Sequence, residues 1–310
     1  MSKRVLVVGD VMTDVIVKPE GPIVFGSDRR AAIESRPGGS GANQAVWLGA
    51  AGVDVTFAAR VGLIDKAAHE AHFRLRGVTP VLAGDAALGS GVLVTIVDPG
   101  GERSFLTDRG ANLNLSPEDL PDSLLEGVGL VLISGYSFFA EGPRAAVQSL
   151  LGRARQRRIP IAVDPASIGF LEEVGPRTFL AWVGEADWLF ANESEAEMLA
   201  GVTGFEAQML VLGAQFRKVV IKRGRFGAAL GGGDGVAISR AAPIVDVVDS
   251  TGAGDAFFSG TVAALIQEIP LKTAVQWGTQ IAAWTIESTE SICRELPQKW
   301  IQFNKSIGCV

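Results

Sequence analysis

From Ser116 onward the sequence alternates between short apolar runs and longer mixed stretches, and this alternation constrains the fold more than any other feature. Residues 130–134, 159–164, 188–191 and 218–222 read as strands, and residues 143–158, 176–186 and 193–200 as helices. Ser116-Pro117-Glu118-Asp119 reads as a helix start, with an N-cap, Pro at the first position and acids in the first turn. Residues 226–239 read as a Gly-rich hairpin. Apolar strands separated by helices belong to a parallel sheet covered on both faces.

The N-terminal third partly joins this pattern. Residues 4–8 read as a first central strand, continued by 11–17 with Asp14 interrupting an apolar run. A helix is expected from about Ala42, stopped by Gly52, then a strand over 53–61, a helix over 66–76 and a strand over 78–83. The helix over 66–76 carries the only two histidines, His69 and His72. With no third ligand suggested nearby, they read as a polar helix face rather than a metal site. Residues 18–35 are polar, contain Pro and Gly, and read as a loop with short strands. Residues 91–98 and 103–108, around Pro99-Gly100-Gly101, form a hairpin with no helix after it, which predicts an antiparallel element outside the main sheet.

In a parallel α/β sheet, ligands bind beyond the C-terminal ends of the strands. Gly9-Asp10, Ser134-Gly135, Asp164, Asn192, Lys222-Arg223-Gly224 and the segment from Asp249 gather there. In that last segment, an apolar strand-like run (243–248) leads to Asp249-Ser250-Thr251-Gly252-Ala253-Gly254-Asp255 and then to a helix-like run (256–269). A Gly-rich turn opening a helix is an anion site, because the first N–H groups lack partners and the helix dipole adds positive charge. A carboxylate in that turn would repel a phosphate, unless it takes the proton of a hydroxyl attacking that phosphate. The glycines at 38, 39 and 41 have a Walker A look, but no Lys-Ser/Thr pair follows them, and no GxGxxG follows the first strand.

Composition excludes several classes. With 310 residues, 47% of them hydrophobic, the chain can bury one large core. A net charge of −6, with only one basic cluster at 153–158, disfavours nucleic acid as a partner. Cys293 and Cys309 are the only cysteines, so no disulfide framework is expected. No apolar run is as long as a membrane span, and the run after Arg4 is too short for a signal segment. A cytoplasmic protein without a membrane partner is expected.

Three strings together resemble the ribokinase-like (PfkB) family of sugar and nucleoside kinases. Gly38-Gly39-Ser40-Gly41-Ala42-Asn43-Gln44-Ala45 looks like its N-terminal signature, Asn192-Glu193-Ser194-Glu195 is similar to its N-x-x-E motif, and Asp249 through Phe257 matches its C-terminal signature. The resemblance covers nearly the whole chain. It implies a single domain over 1–310, a three-layer α/β/α sandwich with a mainly parallel central sheet and a small β-sheet lid from about 11–36 and 89–110. It also implies MgATP-dependent phosphorylation of a sugar-like hydroxyl. Asp255 would be the general base, and the N–H groups of Gly252, Ala253 and Gly254 the anion hole. Asp14, Gly39 and Asn43 would bind substrate hydroxyls. Asn192 and Glu195 would organise the phosphates and, through water, Mg2+, while Lys222 and Gly224 would line the ATP side. Asp249 and Thr251 are the contributors expected for a monovalent cation such as K+. Pairing of lids, hence a homodimer, also follows from the resemblance.

The chain departs from the ribokinase pattern at three places. Ser40 stands where ribokinase usually has Lys, and Gly135-Tyr136-Ser137 stands where it has an acidic sugar ligand, which argues against ribose. Glu290-Ser291 replaces the usual Gly-Ala turn, which leaves K+ activation open. The nearest alternative is a nucleoside kinase with Tyr136 or Phe138 stacking on a base; another is a catalytically silent sugar- or nucleotide-binding regulator. Arg103 and Arg109 on the hairpin read either as a solvated edge or as reaching an acidic substrate.

Overall fold

The structure is a computed structural model describing residues 4–98, 100–184 and 186–287, together with 299, 302 and 303. Pro99, the Glu290-Ser291 pair and both cysteines lie outside the described residues. The order of elements begins β1 (Arg4–Val8), β2 (Met12–Pro19), β3 (Ala31–Gly38), α1 (Ser40–Ala50), β4 (Val55–Gly62), α2 (Lys66–Arg74), β5 (Val78–Asp85), β6 (Gly91–Val97) and β7 (Arg103–Asp108). It continues with β8 (Val128–Ser134), α3 (Glu141–Gln156), β9 (Ile161–Asp164), α4 (Ile168–Val174), α5 (Pro176–Val183), β10 (Trp188–Asn192), α6 (Glu193–Ala200), α7 (Phe205–Gly213) and β11 (Lys218–Lys222). It ends with β12 (Ala228–Gly232), β13 (Gly235–Arg240), α8 (Ala253–Ile266) and α9 (Leu271–Ile286).

Nine strands form the main sheet in the order β13-β12-β11-β10-β9-β8-β1-β4-β5. All its pairings are parallel except those of β11 with β12 and β12 with β13. β1 explains the layering. Its side chains alternate between faces, so Val5 and Val7 join a core with Trp47, Phe57, Phe258 and Trp277, while Leu6 and Val8 join one with Phe138, Leu150, Phe179 and Leu189. Helices α1, α8 and α9 cover the first face and α3, α5, α6 and α7 the second. A strand buried on both sides must be apolar at every position, which is why these runs show no polar alternation.

Strands β3-β2-β6-β7 form a separate four-stranded sheet. Residues 18–35, read as mostly loop, in fact lead into β3, which pairs with β2 from Ala31 to Gly38. Three other expectations are corrected. The cap at Ser116 opens only a short 3-10 turn over Pro117–Asp119, since Pro121 follows and disfavours helix at Leu120. The apolar run 243–248 is not a strand, and Ile244 is fully exposed. Helix α8 begins at Ala253 rather than Ala256, which brings Asp255 inside its first turn. Among the described residues no helix is long and apolar enough to cross a membrane.

Candidate active site

β1 lies between β4 and β8, the point where the strand order reverses direction. A crevice opens beyond the strand ends at such a point. Here the start of α1 closes tightly on the end of β1. A Cβ at Gly41 would lie 2.6 Å from the Gly9 Cα, and Gly39 (φ +99°) packs against the backbone of Asp10 and Met12, so neither position accepts a side chain. The Asp10 carboxylate accepts from the Gly41 N–H (3.1 Å) and the Ser134 hydroxyl (3.3 Å), joining β1, β8 and α1.

From this anchored helix end three side chains reach Asp255. Ser40 Oγ (2.7 Å) and Gln44 Nε2 (3.2 Å) donate to Oδ1, and Asn43 Nδ2 (3.2 Å) donates to Oδ2. Positions i, i+3 and i+4 share one helix face, so one turn of α1 supplies all three donors. Burial and the nearby Asp164 push the Asp255 pKa up to about 7, against the opposing pull of Ser40, Asn43 and Lys222. A carboxyl titrating there is a stronger base than an ordinary aspartate.

Asp255 stands in the first turn of α8, whose N-cap is Gly252 at φ 77°. The Ala253 N–H donates to the Ser250 carbonyl at 3.3 Å, whereas those of Gly252 and Gly254 have no such partner among the described residues. A Cβ at Gly254 would stand 3.5 Å from Lys222 Nζ, and one at Gly252 would stand 3.9 Å from Asn43 Nδ2. Open N–H groups, an ammonium and a carboxylate thus converge on one helix turn.

Lys222, at the end of β11, donates to Asp164 Oδ2 at 2.7 Å. Burial works against its charge, but Asp164 and Glu195 outweigh that and hold its pKa above the ordinary value. Asn192 and Glu195 form a reciprocal capping box on α6, each accepting the other's backbone N–H at 2.8 Å. Glu195 is buried, and its pKa is raised by that burial. Asn192, Lys222 and Gly224 line a cleft of about 830 Å³ with Arg225, Phe226 and the loop 242–247, and the cleft reaches Ala253 and Gly254. The misread strand 243–248 thus contributes an apolar cleft wall.

On the lid side, Asp14 of β2 is 92% buried against Gly38, and its Oδ1 has no hydrogen-bond partner. Burial raises its pKa to about 6 despite Arg36. Asp249 and Thr251, expected beside a monovalent cation, are instead engaged by arginines. Arg36 Nη2 (3.3 Å) and Arg103 Nη1 (3.0 Å) take one Asp249 oxygen each, and Arg103 also donates to Thr251 Oγ1 at 2.8 Å. Burial alone would raise the Asp249 pKa, but Thr251 and Arg103 hold it down at about 2. With both oxygens committed to guanidinium groups, these two residues as arranged do not fit a cation site. Of the histidines, His69 faces Asp65 and His72 packs on Phe73, both within the surroundings of α2.

The family model for the pfkB family carbohydrate kinases matches residues 2–298. The chain belongs to this family. A bifunctional protein HldE of Coxiella burnetii (strain RSA 331 / Henzerling II) is 28% identical over 286 residues, covering 84% of this chain and 55% of that protein. The chain thus spans about half the length of that pfkB relative. An ATP-dependent ribose-1-phosphate kinase of Halopiger xanaduensis is 28% identical over 297 residues, 91% of each chain. The crystal structure of a probable sugar kinase from Rhizobium etli CFN 42 matches with a TM-score of 0.87 at 22% identity over 100% of both chains, which supports the ribokinase-like fold.

Within this pfkB chain, the residues expected from the sequence collect at the strand ends as two groups. Asn43, Gly252, Ala253, Gly254 and Asp255 meet around the turn of α8, with Lys222 beside them; Asn192 and Gly224 stand along the cleft, and Glu195 is buried behind Asn192 in the capping box. Asp14 and Gly39 stand at the base of the lid. Sequence reading missed Ser40 and Gln44 as partners of Asp255, although their i, i+4 spacing around Asn43 was a usable signal. It marked Asp10 and Asp164 by position without giving them a role. Of the two residues expected to stack on a base, Phe138 is fully buried, while Tyr136 lines a cavity with the Arg109 guanidinium over one face, 4.6 Å from the ring centroid.

Proposed function

We propose that the protein transfers the γ-phosphoryl group of ATP to a hydroxyl of a sugar or sugar-like substrate, with Asp255 as general base. The observation that carries this reading is the shared helix turn: Asp255 and the open N–H groups of Gly252 and Gly254 belong to one turn of α8, beside Lys222. The hydroxyl oxygen attacks the γ-phosphorus. The bond from that phosphorus to the β,γ-bridging oxygen breaks, its electron pair leaves with ADP, and the hydroxyl proton passes to Asp255. Gly252 and Gly254 are the principal anion-hole donors, and Ala253 joins them only by giving up Ser250. The unpartnered Asp14 Oδ1, packed against Gly38 next to Gly39, suits a substrate hydroxyl, and Asn43 would contact the substrate from its place on Asp255.

The apolar cleft supports a nucleotide seated against Phe226 and the 242–247 loop, with its phosphates toward Lys222, Asn192 and Gly224. Asn192 and Glu195, paired at the start of α6, would hold Mg2+ through water, and the ion, when bound, would neutralise phosphate charge. We also infer that two copies pair through the outer face of the lid.

The test is ADP release from MgATP against a panel of sugars, sugar acids and sugar phosphates, with Asp255→Asn as the blank. A substrate should appear whose turnover falls by about 10²–10⁴ in the variant, while MgADP affinity changes by no more than a few-fold. Full activity in Asp255→Asn would remove it as the base. Nucleotide binding without turnover on any panel member would favour a silent regulator.

A further inference from the structure

Beyond the reacting centre lies a cavity of about 120 Å³ between the end of β1, residues 109–115 and the turn after β8. Its walls are Tyr136, Phe139 and Phe170, with Tyr136 edge-on to Phe170 (centroids 5.8 Å apart) and Phe139 stacked on Phe170 (4.8 Å). Two guanidinium groups line it, those of Arg60 and Arg109. They differ in one respect: Arg60 is gripped by two carboxylates, with Nε on Asp85 at 3.0 Å and Nη1 on Asp119 at 2.9 Å.

Arg109 is not. Its one side-chain hydrogen bond among the described residues runs to Asp10 Oδ2 at 3.5 Å, the long limit of such a bond, while the guanidinium lies over Tyr136. The side chain is only 19% exposed. A guanidinium carries five N–H donors in a planar fork, so one long bond leaves most of this fork available to a ligand. Asp10 does not consume the fork, because its other oxygen is committed to Gly41 and Ser134. The backbone beneath Arg109 is pinned: Asn112 Nδ2 donates to the Arg109 carbonyl at 2.8 Å, and Asn112 pairs both ways with the Val11 backbone at 2.9 Å.

The cavity is joined to the catalytic carboxylate through one helix end. Ser40 holds Asp255, the adjacent Gly41 N–H is held by Asp10, and Asp10 faces Arg109. The Tyr136 phenol under Arg109 has a pKa raised to about 12, by burial and then by Asp10, with Arg109 opposing them.

We propose that Arg109 selects substrates bearing an anionic group, carboxylate or phosphate, at the end remote from the accepting hydroxyl. This rests on the kinase reading and names its substrate class. A neutral sugar can accept from the fork but leaves its charge unbalanced. A carboxylate or phosphate takes two parallel N–H bonds, and the aromatic walls keep out the water that would screen them. Arg109 is thus a specificity residue, distinct from the groups that carry the proton and the phosphoryl charge.

The test measures binding by calorimetry on the full chain with two matched pairs: ribose 1-phosphate against ribose, and gluconate against glucose. The two pairs separate phosphate from carboxylate as the preferred anion. In at least one pair the charged member should bind about tenfold tighter or more, the worth of a charged hydrogen bond. Arg109→Ala should erase that margin while MgADP affinity stays within about twofold, and Arg109→Lys should recover part of it. Should Arg109→Ala lose MgADP binding, Arg109→Gln carries the test. Equal or tighter binding of both neutral members, no binding of either charged probe, or a margin that survives loss of the arginine overturns the proposal. A charged probe bound with this Arg109 dependence but never phosphorylated would sink the kinase reading and leave the selectivity standing. Turnover of neutral sugars alone would do the reverse.

Discussion

As the proposed base, Asp255 must be ionised to accept a proton, yet its surroundings favour the protonated form. Burial and Asp164 raise its pKa to about 7, and Ser40, Asn43 and Lys222 only partly offset them. The sign follows directly. Below pH 7 the carboxyl holds its proton and cannot act as base, so kcat/KM, which reports the free enzyme, should fall as pH drops through about 7 and level off above it. Asp164→Asn removes a carboxylate that raises this pKa and should move that limb to lower pH by about one unit. A pH–rate profile identical in wild type and variant would show that another group sets the limb. The same shift makes the unliganded fold lose stability as pH rises from about 4 to about 7, because the folded carboxyl retains a proton that the unfolded one has released.

At the scale of elements, the small sheet is tied to the loop before α8 by arginines from its two edge strands, Arg36 on β3 and Arg103 on β7. Asp249 also accepts the Thr251 N–H at 2.9 Å, so the lid grips the residue that shapes the loop entering α8. Arg103 is about a third exposed, which screens its ion pair. Its loss should therefore loosen lid closure rather than unfold the protein. Arg103→Ala should raise the acceptor KM by about three- to tenfold, the worth of an exposed to half-buried pair, with MgADP affinity unchanged; an unaltered acceptor KM would disconnect the latch from substrate closure. This contact also marks the limit of what the sequence revealed. Elements were legible where their chemistry is local: the Asn192–Glu195 box starts α6 at the expected residue, and the 218–222 run is β11. They were not legible where a distant partner decides. Residues 243–248 have strand composition but line a cleft without pairing, and β3 is polar because one face looks onto the site. The partners of Asp249 lie 146 and 213 residues away, a separation that no local spacing encodes. The position of Asp255 at a helix start was legible, because the Gly-rich turn and the carboxylate lie within a few residues of each other.

At the scale of the whole molecule, the lid turns one face toward the site and the other away from it. Strand registers put Asp14, Arg36 and Arg103 on the face toward the site. By the same alternation Val15, Val17, Ile33, Val92, Val94, Ile96 and Leu106 share the other face. Ile33 and Leu106 are 65% and 61% exposed in the single chain. A contiguous aliphatic face on a sheet with both edges open is costly to leave in water, and a second copy of the same face offers a self-complementary cover. The purified protein should therefore sediment as a dimer. Ile33→Lys with Leu106→Lys puts four charges into the shared interface and should shift the species to monomer, with MgADP affinity retained because the cleft lies on the main sheet. A lid losing its partner would also close less firmly over the acceptor, so the monomer should show a raised acceptor KM and an unchanged nucleotide constant. A wild-type monomer across the micromolar range would overturn the pairing. A double variant that remains dimeric would move the interface off the lid.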